Sequence, residues 1–166
     1  MPRKRGMLAF ILLLLLAAGC RHRGYANSFN LTNDDRKAIE AYLVEKIIEP
    51  VFGGRIFCAY RVLLSDRQTG KICLWALIQE FYRELGDLRE GTGISVPLVL
   101  DVREHNGKLL VTGHTLPADG GNFPADIERL FPQQIKKQIC DYPAKEIQEL
   151  AAEIRAKARL TEQHGP

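Results

Sequence analysis

Four cysteines, four histidines and a few carboxylates are the side chains with chemistry to offer in this sequence of 166 residues, and their spacing limits what they can do. Cys20 stands apart, directly after Ala17-Ala18-Gly19, whereas Cys58, Cys73 and Cys140 fall in the body of the chain. No two of those three stand two to four residues apart, which excludes the familiar zinc spacings. If a hairpin turns near residues 68 and 69, Cys73 faces about residue 64 and Cys58 about residue 79. They then lie on the order of 20 Å apart along the ladder, too far to bridge. Pairing of either with Cys140 stays open, and all three are read as buried small apolar residues. His22, His105, His114 and His164 scatter over tether, turn, strand end and tail. His114 beside Asp101 or Asp119 could be a base and its orienter, but no nucleophile or oxyanion-hole motif accompanies them, so no catalytic residue is assigned. Glu80 and Glu84 read as a solvated rim, not a paired-carboxylate site. Gly91-Thr92-Gly93 and Gly120-Gly121 lack the strand-to-helix context that phosphate binding requires and read as turns. Neither a metal set nor a cofactor motif is expected.

The elements that must carry these residues follow from periodicity. Thr32 with Asp35 forms a capping box, and Ile39, Tyr42, Leu43 and Ile47 recur at helical spacing until Pro50. Val51 to Arg55, with Gly53-Gly54, is a turn. Four strands are then expected: Ile56 to Ser65, Lys71 to Arg83, Ile94 to Glu104 and Lys108 to Leu116. The second is apolar on both faces and should be interior. Asn106-Gly107 is a strong hairpin signal, whereas Glu84 to Gly93 reads as a longer connection. Pro97 lacks the donor of an interior strand, so a bulge there or a later strand start is expected. Short connections make the four an antiparallel meander. Asn122 is a candidate cap for a short helix over Ala125 to Phe131, Pro132 opens another over Gln133 to Ile139, and Ala144 to Leu160 is an amphipathic final helix. Thr161 to Pro166 should fray. The expected fold is α+β, an N-terminal helix packed on a four-stranded antiparallel meander closed by C-terminal helices, like a cystatin roll by analogy.

The first 20 residues give an address. Arg3, Lys4 and Arg5 precede an apolar run from Met7 to Ala18, too short to span a bilayer as a helix, and small residues then lead to Cys20. This divides the chain into an export signal over 1–19, a polar tether over 20–30, one domain over 31–160 and a tail over 161–166. The net charge of +3 owes much to the first 23 residues; the remainder is near neutral, and no nucleic-acid partner is expected.

Leu16 to Cys20 resembles the lipobox of bacterial lipoproteins, with Ala17 where that pattern more often has leucine. The resemblance implies cleavage before Cys20, a diacylglyceryl thioether on its sulfur and a further acyl group on its amine. Two or three acyl chains anchor stably where one is marginal. Farther on, Trp75-Ala76-Leu77, Glu80-Phe81-Tyr82, Leu88, Glu90-Gly91-Thr92-Gly93, Ser95-Val96-Pro97, Pro117-Ala118-Asp119-Gly120, Asp126-Ile127 and Leu130-Phe131-Pro132 together resemble a group of uncharacterised bacterial lipoproteins and envelope proteins. The likeness covers roughly residues 55 to 140 and carries no assigned activity. In that group the loop after the last strand usually reads Pro-Arg-Asp-Gly. If its arginine binds an anion there, Ala118 has removed that contact here. The expectation is therefore a lipoprotein anchored through Cys20 on the exported face of the bacterial envelope, acting as a binding module for an envelope protein or a small ligand. Two alternatives accompany it. One is a small-ligand carrier with a pocket between the N-terminal helix and the sheet, near Tyr60 and Trp75, with His114 and Asp119 as further contacts. The other is a small envelope enzyme or redox protein using Cys58, Cys73 or the His114 region.

Overall fold

The computed structural model describes residues 28–163; the expected export signal, Cys20 and most of the expected tether lie outside them. Thr32 caps the first helix, α1 (Asn33–Lys46): its hydroxyl accepts from the Asp35 N–H at 3.1 Å, while the Asp35 carboxylate accepts from the Thr32 N–H at 2.9 Å. Four strands follow, β1 (Arg55–Asp66), β2 (Lys71–Glu84), β3 (Asp87–His105) and β4 (Lys108–Thr115). They pair antiparallel in the order β1-β2-β3-β4, so the fold is α+β with Lys71–Glu84 in the interior.

Alternate residues of a strand point to opposite faces, and both faces of this sheet are covered. Ile72, Leu74, Ala76 and Ile78 of β2 meet Ile39 and Leu43 of α1. Cys73, Trp75 and Phe81 turn the other way, toward α2 (Phe123–Leu130), α3 (Gln133–Cys140) and α4 (Ala144–Gln163), where they meet Ile127, Ile135, Ile139, Leu150 and Ile154. Each large aliphatic side chain in these two cores is worth about 2–5 kcal/mol against alanine.

The sheet edges are blunted by charged side chains, a common protection against unwanted strand pairing. Along β1, the Lys157 ammonium donates to the Cys58 carbonyl at 2.7 Å and to Glu40 at 2.6 Å, and Arg61 pairs with Glu153 and Glu146. Along β4, the Asp35 carboxylate accepts from the Leu109 N–H at 3.0 Å.

Several expectations are corrected. Glu84 to Gly93 is not a long connection: Leu85-Gly86 alone joins β2 to β3, with φ of 52° and 90°, and Glu84 pairs with Asp87. Gly91-Thr92-Gly93 is not a turn but lies inside β3, where Gln79 pairs with Gly93 and Phe81 with Glu90, leaving one extra residue on β3 opposite Glu80. Pro97 sits unbulged opposite Trp75. β4 pairs with β3 only from Val99 onward, so at Pro97 the outer side of β3 has no ladder that needs its donor. Its ring and Val99 are buried, so this face of β3 is dry at its centre. Asn122 ends a short 3-10 turn (Gly120–Asn122) and its side chain caps nothing. The last helix runs on through Gln163, so Thr161 is helical instead of frayed.

Candidate functional site

Glu80 is the residue whose placement differs most from expectation. It lies at 0 % exposure on the α1 side of β2, in line with Ala76 and Ile78, not on a solvated rim. A carboxylate in such a place must be fully hydrogen-bonded. Its Oε2 accepts from the Val51 N–H at 2.9 Å and the Thr92 N–H at 3.3 Å; its Oε1 accepts from Phe52 and Gly54, both at 2.9 Å. Burial pushes its pKa up, and the donors of Gly54, Val51, Phe52 and Thr92 outweigh that and hold it below the usual glutamate range. One side chain thus ties the α1–β1 loop to the bulge of β3.

The glycines around it are explained by close approach. A Cβ on Gly91 would lie 2.7 Å from Glu80 Oε2 and 2.9 Å from the Phe52 ring, and one on Gly54 would lie 2.2 Å from the Phe81 carbonyl oxygen. On the opposite face of the bulge, the Gln79 amide donates to the Gly91 carbonyl at 2.7 Å.

The clamp serves an outward-facing surface. It fixes the backbone of Val51 and Phe52 while leaving their side chains 69 % and 56 % exposed. The Phe52 ring stacks on Tyr82, with centroids 4.8 Å apart. At the same end of the sheet, the Leu85 side chain is 100 % exposed at the tip of the β2–β3 hairpin.

The residues singled out from the sequence do not converge. Tyr60 lies on the α1 side, its hydroxyl donating to the Arg36 carbonyl at 3.1 Å, and burial pushes its pKa up to about 12. Trp75 lies on the opposite face, stacked on Tyr142 at 4.0 Å and donating to Ser95 Oγ at 3.0 Å. His114, on β4, pairs its Nδ1 with the Tyr42 hydroxyl at 3.0 Å. Asp119 is exposed beside Gly120, whose φ is 69°. The loop they start is held instead by Asp126, which accepts from the Ala118 N–H at 2.8 Å and pairs with Arg129. Ile39 and Leu43, at full burial, fill the space between α1 and the sheet where a carrier pocket was expected. The sizeable clefts described lie on the other face. One of about 360 Å³ is bounded by the β1–β2 hairpin and α2–α3; another of about 340 Å³ lies beside Arg61 and Tyr142.

Cys58, Cys73 and Cys140 are free thiols, and Cys140 is exposed, contrary to the buried reading. Cys73 faces Leu64 as the register argument required, and Cys58 faces Ile78. Burial, with Glu40 adding to it, pushes the Cys58 thiol up to about 12, and burial takes Cys73 to about 11. At neutral pH neither holds appreciable thiolate, the nucleophilic form, which weighs against redox use of these two.

Glu80 did have a signal in the sequence. Counting in twos from Ile72 places a charge on the dry face of the interior strand, and a buried charge demands donors from somewhere. The glycine pairs at 53–54 and 91–93 mark where backbone comes close enough to supply them.

Among the described residues no helix is long and apolar enough to cross a membrane, and no cluster of three or more His, Cys, Asp or Glu side chains is arranged for a metal. No family model matches the chain, and neither a curated protein nor a solved structure matches it.

Proposed function

We propose that this chain is an exported bacterial lipoprotein, anchored in the envelope membrane through acylated Cys20, whose body binds an envelope protein with the end that carries Val51, Phe52 and Leu85. The observation that carries the anchoring is the order Arg3-Lys4-Arg5, apolar run, Ala17-Ala18-Gly19, Cys20. The orientation rests on where the tether joins the body. The Phe29 N–H donates to Ser65 Oγ at 3.2 Å, beside the β1–β2 hairpin, and β1, 12 residues long, runs from there roughly 40 Å to the Glu80 loop. The stretch from Cys20 to Ser28 reaches at most about 30 Å. With the tether joined at the hairpin end, the exposed apolar end is the end of the body farthest from the anchor, free to meet a protein partner. Fixed loops with outward apolar side chains suit that task, because little ordering remains to be done on binding.

Intact mass of the membrane-extracted protein, beside Cys20→Ser, tests the anchor. Loss of residues 1–19 with gain of acyl mass at Cys20 is expected; a cleaved but unacylated chain would overturn the reading. In-cell photo-crosslinking then tests the surface. A discrete adduct from position 85, weakened by Phe52→Ser and not formed from exposed position 148 on α4, is expected. The same adduct from both positions would refute the assignment.

A further inference from the structure

We propose that the cleft of about 360 Å³ between the β1–β2 hairpin and the α2–α3 corner is a binding site for a small uncharged molecule with an aliphatic body and one amide or hydroxyl head. It is a second site, at the other end of the sheet from Val51, Phe52 and Leu85, and it goes beyond the function proposed above. Its volume is at the lower end of the range for small-molecule sites. Leu64, Cys73, Leu130 and Pro132 give it an apolar lining. The charges at its rim are already committed: Lys71 to Asp101 at 2.7 Å, and the Asp66 carboxylate to the Gln68 N–H and the Thr69 hydroxyl, both at 2.9 Å. An anion would therefore find no unpaired cation there, a cation would have to compete with the contacts by which Asp66 holds the turn, and either would lose hydration on entry. The side-chain amides of Gln68 and Gln134 line the same cleft, and no hydrogen bond engages either of them among the described residues. Each offers a donor and an acceptor, which suits a primary amide or an alcohol.

The cleft is preformed. The hairpin turn that closes one side is fixed by the Asp66 contacts and by the Val102 N–H, which donates to the Gly70 carbonyl at 2.8 Å. Binding then requires little ordering of the protein.

The test uses the full chain in detergent-free lipid nanodiscs, with octanamide as probe and octanoate and octylamine as charged counterparts. Trp75, the single tryptophan, lies two residues from Cys73 on the same face, so its emission reports occupancy. The side-chain amide resonances of Gln68 and Gln134, which line the cleft, report it independently by NMR. Saturable change in both readouts with octanamide is expected, with the charged probes about tenfold weaker or worse. Leu130→Phe should fill the cleft and abolish binding. Gln134→Ala, at an exposed position that leaves folding intact, should weaken octanamide several-fold. Equal binding of all three probes would overturn the uncharged class, and saturation that leaves the Gln68 and Gln134 amide resonances unmoved, or no saturation at all, would overturn the site. None of these outcomes alters acylation at Cys20 or the crosslink from position 85.

Discussion

Two hairpin turns in this molecule have the same backbone and opposite chemistry. Asn106-Gly107 joins β3 to β4 with φ of 51° and 72°, and Leu85-Gly86 joins β2 to β3 with φ of 52° and 90°. Asparagine and glycine enter the left-handed region readily, so the first turn is specified by its own two residues. Leucine does not, and a left-handed conformation costs it roughly 1–2 kcal/mol. The second turn is therefore imposed from outside. Glu84 pairs with Asp87 and Arg83 with Leu88 right up to the turn, and the Arg83 guanidinium donates to the Gly86 carbonyl at 2.8 Å. Behind that paired end stands Glu80, fixing β2, the β3 bulge and the α1–β1 loop together. One end of the sheet is closed by local preference and the other by long-range structure, and the second is the end with the exposed apolar side chains.

Removing the clamp should have the largest effect. Glu80→Ala leaves the N–H groups of Val51, Phe52, Gly54 and Thr92 without their acceptor and should lower Tm by about 10 °C. Hydrogen exchange should speed up at those four amides first, while Val102 keeps its protection. The pH dependence has a definite sign. Because the native carboxylate titrates below its ordinary value of 4.5, its contribution is present in full above that pH and is lost as pH falls through the lower native value. Acid unfolding of Glu80→Gln should accordingly be shallower than that of the wild type below pH 4.5. Identical acid profiles would mean the clamp does not hold this end.

Next in size comes Gly54→Ala. Its Cβ would meet the Phe81 carbonyl, which is backbone and cannot swing aside. A loss of about 2 kcal/mol is expected in chemical denaturation. Gly107→Ala at the opposite end has nothing within 4 Å of the new Cβ and meets only the strain of its positive φ, so it should cost less.

The same contrast separates what could be read in the sequence from what could not. The capping box of Thr32 and Asp35, the Asn106-Gly107 turn, the interior position of Lys71–Glu84 and the pairing of Cys73 with Leu64 all depend on neighbours in sequence or on strict alternation, and all were legible. Leu85-Gly86 was not, because a leucine held at positive φ by its flanking strands has no local signature. Glu80 reads as a solvated rim for a related reason: a glutamate near a strand end normally reaches water, and here the loop from residues 51 to 54 folds over it from 26 or more residues away. Tyr60, Trp75 and His114 are residue types suited to ligands. Their partners, the Arg36 carbonyl, Tyr142 and Tyr42, turn out to be parts of the scaffold.

The smallest expected effect tests the comparison most directly. Asn106→Leu should destabilise by about 1 kcal/mol, since it places at the locally specified turn the residue that the other turn tolerates. Leu85→Asn should stabilise by a similar amount, because the imposed φ of 52° becomes one the residue accepts and a fully exposed leucine leaves the surface. Opposite signs in urea midpoints at unchanged slope would show that the two turns differ in residue preference and not in geometry. A stabilising Leu85→Asn raises a second question, which is why a strained and exposed leucine stands there. Strain combined with exposure points to a task outside the fold. With the crosslinker at the neighbouring exposed position 87, the variant that gains stability should therefore lose the adduct, and one that gained stability and kept it would free Leu85 from any part in binding and leave Val51 and Phe52 to carry it.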